Sequence, residues 1–100
     1  MKYISAESLK SKLDNKEDIA LIDLREDYEF EDFNLGGKNI PLDTLFNNLD
    51  EIPADKPVIF CCNSGKRAVA MVHTLEQKHN YQNLYILKGG VESYLEEFGI

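Results

Sequence analysis

Cysteine is scarce in this 100-residue chain: there are two, Cys61 and Cys62, adjacent to one another. A disulfide between neighbours is strained, and two thiols cannot build a multi-bridge scaffold, so both are expected to be reduced. Basic residues are also few. Eleven Lys and Arg face eighteen Asp and Glu, a formal net charge of −7, which argues against nucleic acid and anionic membrane surfaces as partners. The same charge works against long-range capture of a small anion, so any anion site must be local. No apolar run is long enough to span a bilayer, and Met1 to Ile4 leads into a polar segment rather than a signal-peptide core. A cytoplasmic location is the expectation. Internal repeats, low-complexity tracts and linkers are all missing, and a chain of this length supports one core, so residues 1–100 are expected to form one domain.

What is present is 43% hydrophobic and 29% charged, the composition of an ordinary globular protein. Ser5 is placed to cap a short helix bearing Leu9 and Leu13, with Ile4 and Leu9 as a hydrophobic staple. Ile19 to Leu24, interrupted only by Asp23, has the pattern of a strand buried on both faces. The acidic segment Glu26 to Asp32 around Tyr28 and Phe30 predicts a helical turn with a solvated face, or a docking surface for a basic partner, before the Gly36-Gly37 turn. Asn39 to Pro41 predicts an edge strand, because Pro41 cannot donate to a ladder. Leu42, Leu45, Phe46 and Leu49 recur at helical spacing, with Asp43 as a cap, ahead of a turn bracketed by Pro53 and Pro57. Val58 to Cys61 and Leu84 to Leu87 predict two more buried strands. The first is followed by a helix with Ala68, Met71, Val72 and Leu75 on its apolar face, the second by a Gly89-Gly90 turn and a closing helix. Alternation of strands with helices implies an α/β fold, a mostly parallel central sheet with helices on both faces and right-handed crossovers.

Ligands in such sheets gather at the carboxyl ends of the strands, and Cys62 falls there, opening the run Cys62-Asn63-Ser64-Gly65-Lys66-Arg67. A strand, a short Gly-containing loop and a helix start aim backbone N–H groups and the helix's positive end at one point. A thiol held there is favoured as thiolate, and Lys66 and Arg67 act in the same direction. Side chains alternate along a strand, so Cys61 and Cys62 cannot both face the loop; Cys61 continues the core run of Val58 to Phe60. Ser64 reads as a loop hydroxyl and Gly65 as the residue that allows tight curvature. The run is not a nucleotide-binding loop, since it has neither the preceding glycine nor the following Ser or Thr. His73 and His79, six apart, share no helical face and have no partners at metal-ligand spacing, so no metal or cofactor is expected.

Pro57 to Arg67, Leu84-Tyr85-Ile86-Leu87-Lys88-Gly89-Gly90 and Leu21-Ile22-Asp23-Leu24-Arg25-Glu26 together resemble the single-domain rhodaneses, with the landmarks in that family's order over nearly the whole chain. The resemblance implies a rhodanese-like fold and a sulfurtransferase in which Cys62 takes sulfane sulfur from thiosulfate or a persulfide. It would hold the sulfur as a persulfide and pass it to cyanide or a thiol. It also implies that Asn63, Ser64, Gly65, Lys66 and Arg67 form the cradle, with Arg67 as principal cation. Asp23 and Arg25 match the family's early acid and base. They are assigned supporting roles, either as an ion pair anchoring the sheet near the loop or in direct substrate contact. Four residues separate Cys62 from Arg67. Related phosphatases and arsenate reductases use one more, and one extra Cα step of about 3.8 Å widens a closed ring's radius by about 0.6 Å, so the shorter loop suits a sulfur atom better than an oxyanion. Two departures stand out. Asn63 replaces the arginine many rhodaneses carry after the cysteine, and Asn34 replaces a common histidine. The lost cation predicts weak use of thiosulfate and a protein or low-molecular-weight persulfide as donor. A binding or sulfur-relay module of the same fold without turnover is the alternative, acting through a protein partner; a monomer is expected in either case.

Overall fold

The computed structural model describes residues 1–99; Ile100, the last residue of the expected domain, lies outside the described residues. Its elements, in chain order, are β1 (Lys2–Ile4), α1 (Ala6–Asp14), β2 (Ala20–Asp23), α2 (Asp27–Asp32), β3 (Lys38–Asn39), two 3₁₀ turns (Leu42–Asn47 and Leu49–Glu51), β4 (Val58–Cys61), α3 (Lys66–His79), β5 (Leu84–Leu87) and α4 (Gly90–Phe98). The strands form one sheet in the order β1-β5-β4-β2-β3, and every neighbouring pair is parallel. The α/β architecture expected from the alternation is therefore observed, with the sheet wholly parallel.

Strand periodicity divides the core in two. Val58 and Phe60 face one side of the sheet with Ile22, Leu84 and Ile86, and are covered by Ala68, Met71, Val72 and Leu75 of α3. Ile59 and Cys61 face the other side with Leu21 and Leu87, under Leu9 of α1 and Val91 of α4. β4, at the centre of the sheet, is buried at all four positions, which is why its sequence is uniformly apolar. Burying each Leu, Ile or Phe of this kind stabilises the fold by about 1.5–3 kcal/mol.

Local signals account for the helix starts. The Ser5 hydroxyl accepts the Ser8 N–H at 3.0 Å, and Ile4 and Leu9 are buried in the same cluster, completing the staple. One strand goes unmarked in the sequence, and one expected helix is not formed. Lys2–Ile4 is a strand pairing with β5; with only Ile4 buried among its three residues, it carries no readable period. The expected helix over Leu42 to Leu49 is two 3₁₀ turns. Thr44 donates its hydroxyl to the Pro41 carbonyl and Asn48 donates its amide to the Thr44 carbonyl, local bonds that compete with α-helical pairing. Pro41, not Asp43, precedes the first turn, and the edge strand lies at Lys38–Asn39, just before it.

The packing of α4 fixes the end of β4. Gly90 has φ +66°, and a Cβ built there would lie 2.4 Å from the carbonyl oxygens of both Cys62 and Asn63. Gly36 has φ +93° with open space around it. Gly36→Ala is therefore expected to cost about 1 kcal/mol, the conformational penalty alone, and Gly90→Ala about 3 kcal/mol or more, since backbone must also move. Urea unfolding of the two variants measures the difference; equal losses would show that this close approach does not constrain the fold.

Candidate functional site

β4 delivers Cys62 into a loop that ends at Gly65, the residue before α3, in the left-handed region at φ +102°. A Cβ at Gly65 would meet nothing closer than 3.7 Å, so the demand for glycine here is conformational rather than steric. That turn directs the Gly65 N–H at Cys62 Sγ, 3.2 Å away. The carbonyls of the same segment are drawn the other way: Val91 N–H donates to the Cys62 carbonyl at 2.8 Å and Glu92 N–H to the Asn63 carbonyl at 3.0 Å. The first turn of α4 thus holds the loop's oxygens away while a loop amide meets the sulfur. Gly65 supplies no side-chain cap to α3, so the helix presents its uncapped positive end beside the thiol.

Burial does not separate the two cysteines. Both are free and at most 1% exposed, where the sequence placed only Cys61 in the core. Their surroundings differ instead. Cys61 lies in the cluster with Leu21, Ile59 and Leu87, where burial first, and the neighbouring Asp23 carboxylate second, push its thiol well above the usual range. Cys62 faces the opposite cluster and has the loop amide.

Asp23 and Arg25 form a buried ion pair. Arg25 Nη2 lies 2.9 Å from Asp23 Oδ2 and Nε 3.0 Å from Oδ1, the Arg25 N–H donates to the same carboxylate at 3.0 Å, and Nη2 reaches the Phe33 carbonyl at 2.6 Å. Burial pulls the guanidinium's pKa down, but its bonds and attraction to Asp23 outweigh that and raise it overall. Arg25 Nη1 extends to Asn63 Oδ1 at 3.5 Å, which ties the pair to the loop. Most of Arg25's donors are consumed in this anchoring.

A residue that the sequence assigns to a solvated face enters the site. Glu29 on α2 accepts from Arg67 Nη1 at 3.2 Å and Nη2 at 3.5 Å, and from Asn63 Nδ2 at 2.6 Å. The signal for it was the spacing Glu26-x-x-Glu29, a capping box in which the Glu26 N–H donates to Glu29 Oε1 at 2.9 Å and so fixes the direction of that carboxylate. Burial pushes the Glu29 carboxyl up, but hydrogen bonds from Arg67, the Glu26 backbone and Asn63 outweigh it and hold it below its ordinary range. Arg67 is raised, by its bond to Glu29 first, with Cys62 also contributing.

The remaining predicted positions line the rim. Ser64 and Lys66 are exposed and, with Gly65, Tyr3, Val69 and Lys88, border a groove of about 310 Å³ on one side of the loop. Arg25, Tyr28, Glu29, Asp32 and Asn63 border a second of about 430 Å³. Asn34 serves a local turn, accepting the Gly36 N–H and donating to the Phe30 carbonyl. His73 and His79 are exposed, and among the described residues no three His, Cys, Asp or Glu side chains cluster to hold a metal. No helix among the described residues is long and apolar enough to cross a membrane.

The model of the Rhodanese-like domain family matches residues 5–97. The Bacillus subtilis protein YqhL is 41% identical over 75 residues, covering 74% of this chain; the chain spans about three-fifths, 59%, of that relative's length. A sulfurtransferase of Allochromatium vinosum is 30% identical over 89 residues, covering 88% of this chain and 82% of the relative. The crystal structure of a rhodanese-related protein from Thermoplasma volcanium superposes with a TM-score of 0.84 at 26% identity, covering 98% of this chain and 94% of that one. The family model spans nearly the whole chain, and the chain belongs to the rhodanese-like domain family, which includes sulfurtransferases.

Proposed function

We propose that this protein is a sulfurtransferase in which Cys62 carries sulfane sulfur as a persulfide. The observation that carries the reading is the position of Cys62 Sγ: it accepts a loop amide at the carboxyl end of the central strand, beside the uncapped start of α3. In the loading step the Cys62 thiolate attacks the outer sulfur of the donor, the donor's S–S bond breaks, and its electron pair leaves with the remaining fragment. Thiosulfate would leave as sulfite and an organic persulfide as its thiolate. In the unloading step cyanide, or an acceptor thiolate, attacks the outer sulfur of the Cys62 persulfide and returns the Cys62 thiolate. Gly65 N–H and the α3 terminus stabilise negative charge on sulfur in each form. Asp23 and Arg25 act as anchors, holding the start of α2 and Asn63 in place.

Oxyanion chemistry fits this site less well. A phosphatase needs a protonated acid for its leaving group. The two carboxylates beside the loop are each held by an arginine, Asp23 by Arg25 and Glu29 by Arg67, and Glu29 is kept below its ordinary range. Glu29 is thereby unsuited to donating a proton near neutral pH, and the Asp23 oxygens are taken up by Arg25. The same pairing favours a persulfide donor over thiosulfate, because it leaves neither arginine as a free positive charge.

Steady-state thiocyanate formation tests the assignment of roles. Cys62→Ser is expected to lower turnover on the order of 10³-fold or more, as removal of a nucleophile does. Cys61→Ser is expected to keep turnover while losing about 1 kcal/mol of stability. The opposite pattern would overturn the assignment. With thiosulfate and a low-molecular-weight persulfide compared side by side, the Michaelis constant for thiosulfate is expected to be the higher; a low value for thiosulfate would contradict the donor assignment. Loading without catalytic turnover would instead identify a relay module.

A further inference from the structure

Glu29 takes up the charge of the loop's own arginine. Both terminal nitrogens of Arg67 are directed at the Glu29 carboxylate, and each carboxylate oxygen has a second donor: the Glu26 N–H on Oε1 and Asn63 Nδ2 on Oε2. The Glu29 side chain is 18% exposed and that of Arg67 34%, so their attraction is less screened than that of a fully solvated pair. On the other side of Asn63, Arg25 is matched by Asp23. Asn63 is therefore more than a missing cation. Its amide N–H bonds Glu29 and its carbonyl oxygen faces Arg25, so one neutral side chain joins two ion pairs across the mouth of the loop.

We infer that Glu29 is the residue that sets the charge class of the sulfur donor: by masking Arg67 it disfavours dianionic thiosulfate relative to organic persulfides. This rests on the reading of Cys62 as a sulfur carrier. Thiosulfate brings two negative charges and must leave a sulfite dianion beside Arg67, where a carboxylate already sits. An organic persulfide carries at most one charge on its sulfurs and leaves as a thiolate, so the carboxylate opposes it less. Glu29 does not meet the reacting sulfur; it is a positioning residue that acts through Arg67.

The test is single-turnover loading of the protein, followed by intact mass, with thiosulfate and with cysteine persulfide as donors. Glutamine at position 29 still closes the capping box with Glu26, so α2 is retained. Glu29→Gln is expected to raise the ratio of thiosulfate to persulfide loading efficiency about ten-fold, the order of one charge at a partly screened site. The gain is expected as a lower half-saturating thiosulfate concentration rather than a faster maximal rate. Adding Arg67→Gln in the same chain is expected to abolish that gain. Glu29→Ala, read by the same ratio, gives a second determination independent of glutamine's hydrogen bonds. A ratio unchanged in both Glu29 variants would overturn the inference, because a purely structural role lowers both donors together. Failure of both donors to load the folded wild-type protein would overturn the sulfur-carrier reading itself, and this inference with it.

Discussion

The site depends on a pair of backbone hydrogen bonds between elements remote in sequence. Val91 and Glu92, in the first turn of α4, donate to the carbonyls of Cys62 and Asn63, and the loop's oxygens are thereby turned from the sulfur. With those acceptors engaged, the peptide plane at Gly65 directs its N–H toward Sγ. The approach is possible only because residue 90 has no Cβ, and β5 and α4 are placed for it by the parallel pairing of β4 with β5. The cysteine-bearing end of the central strand is thus held by main chain, which no side-chain substitution in the loop alone would remove.

Around that frame the charges are arranged in balanced pairs. Asp23 with Arg25 is buried at the end of β2, and Glu29 with Arg67 is half-buried at the start of α3. Breaking a buried pair from one side leaves an uncompensated charge, a loss of about 3–5 kcal/mol, so the inner pair fixes the β2–α2 connection firmly. The outer pair is more accessible and modulates charge at the loop instead. On the proposed function, a chain of net charge −7 handles anionic sulfur through a loop amide and a helix end more than through free cations.

The sheet and the loop were legible because their signals are local. Val58 to Cys61 and Leu84 to Leu87 are buried on both faces and read as apolar runs, and the order strand, glycine loop, helix pointed to Cys62. Glu29 was not legible as a site residue: within the acidic run Glu26 to Asp32 nothing in composition marks one carboxylate as inward, and only the capping-box spacing hints at its direction. β1 escaped because three residues carry no period, and the 3₁₀ turns because leucine spacing alone cannot report competition from Thr44 and Asn48 side chains. In sequence Asn63 is only a loss of charge, whereas its two hydrogen-bonding ends, which depend on tertiary placement, make it a connector.

The persulfide itself is the most direct test of the account. After exposure to a sulfur donor, the protein should gain one sulfur atom per chain, and peptide mapping should place it on Cys62. Treatment with cyanide should return the original mass. Sulfur found on Cys61, or a protein that gains none from any donor while folded, would contradict the account.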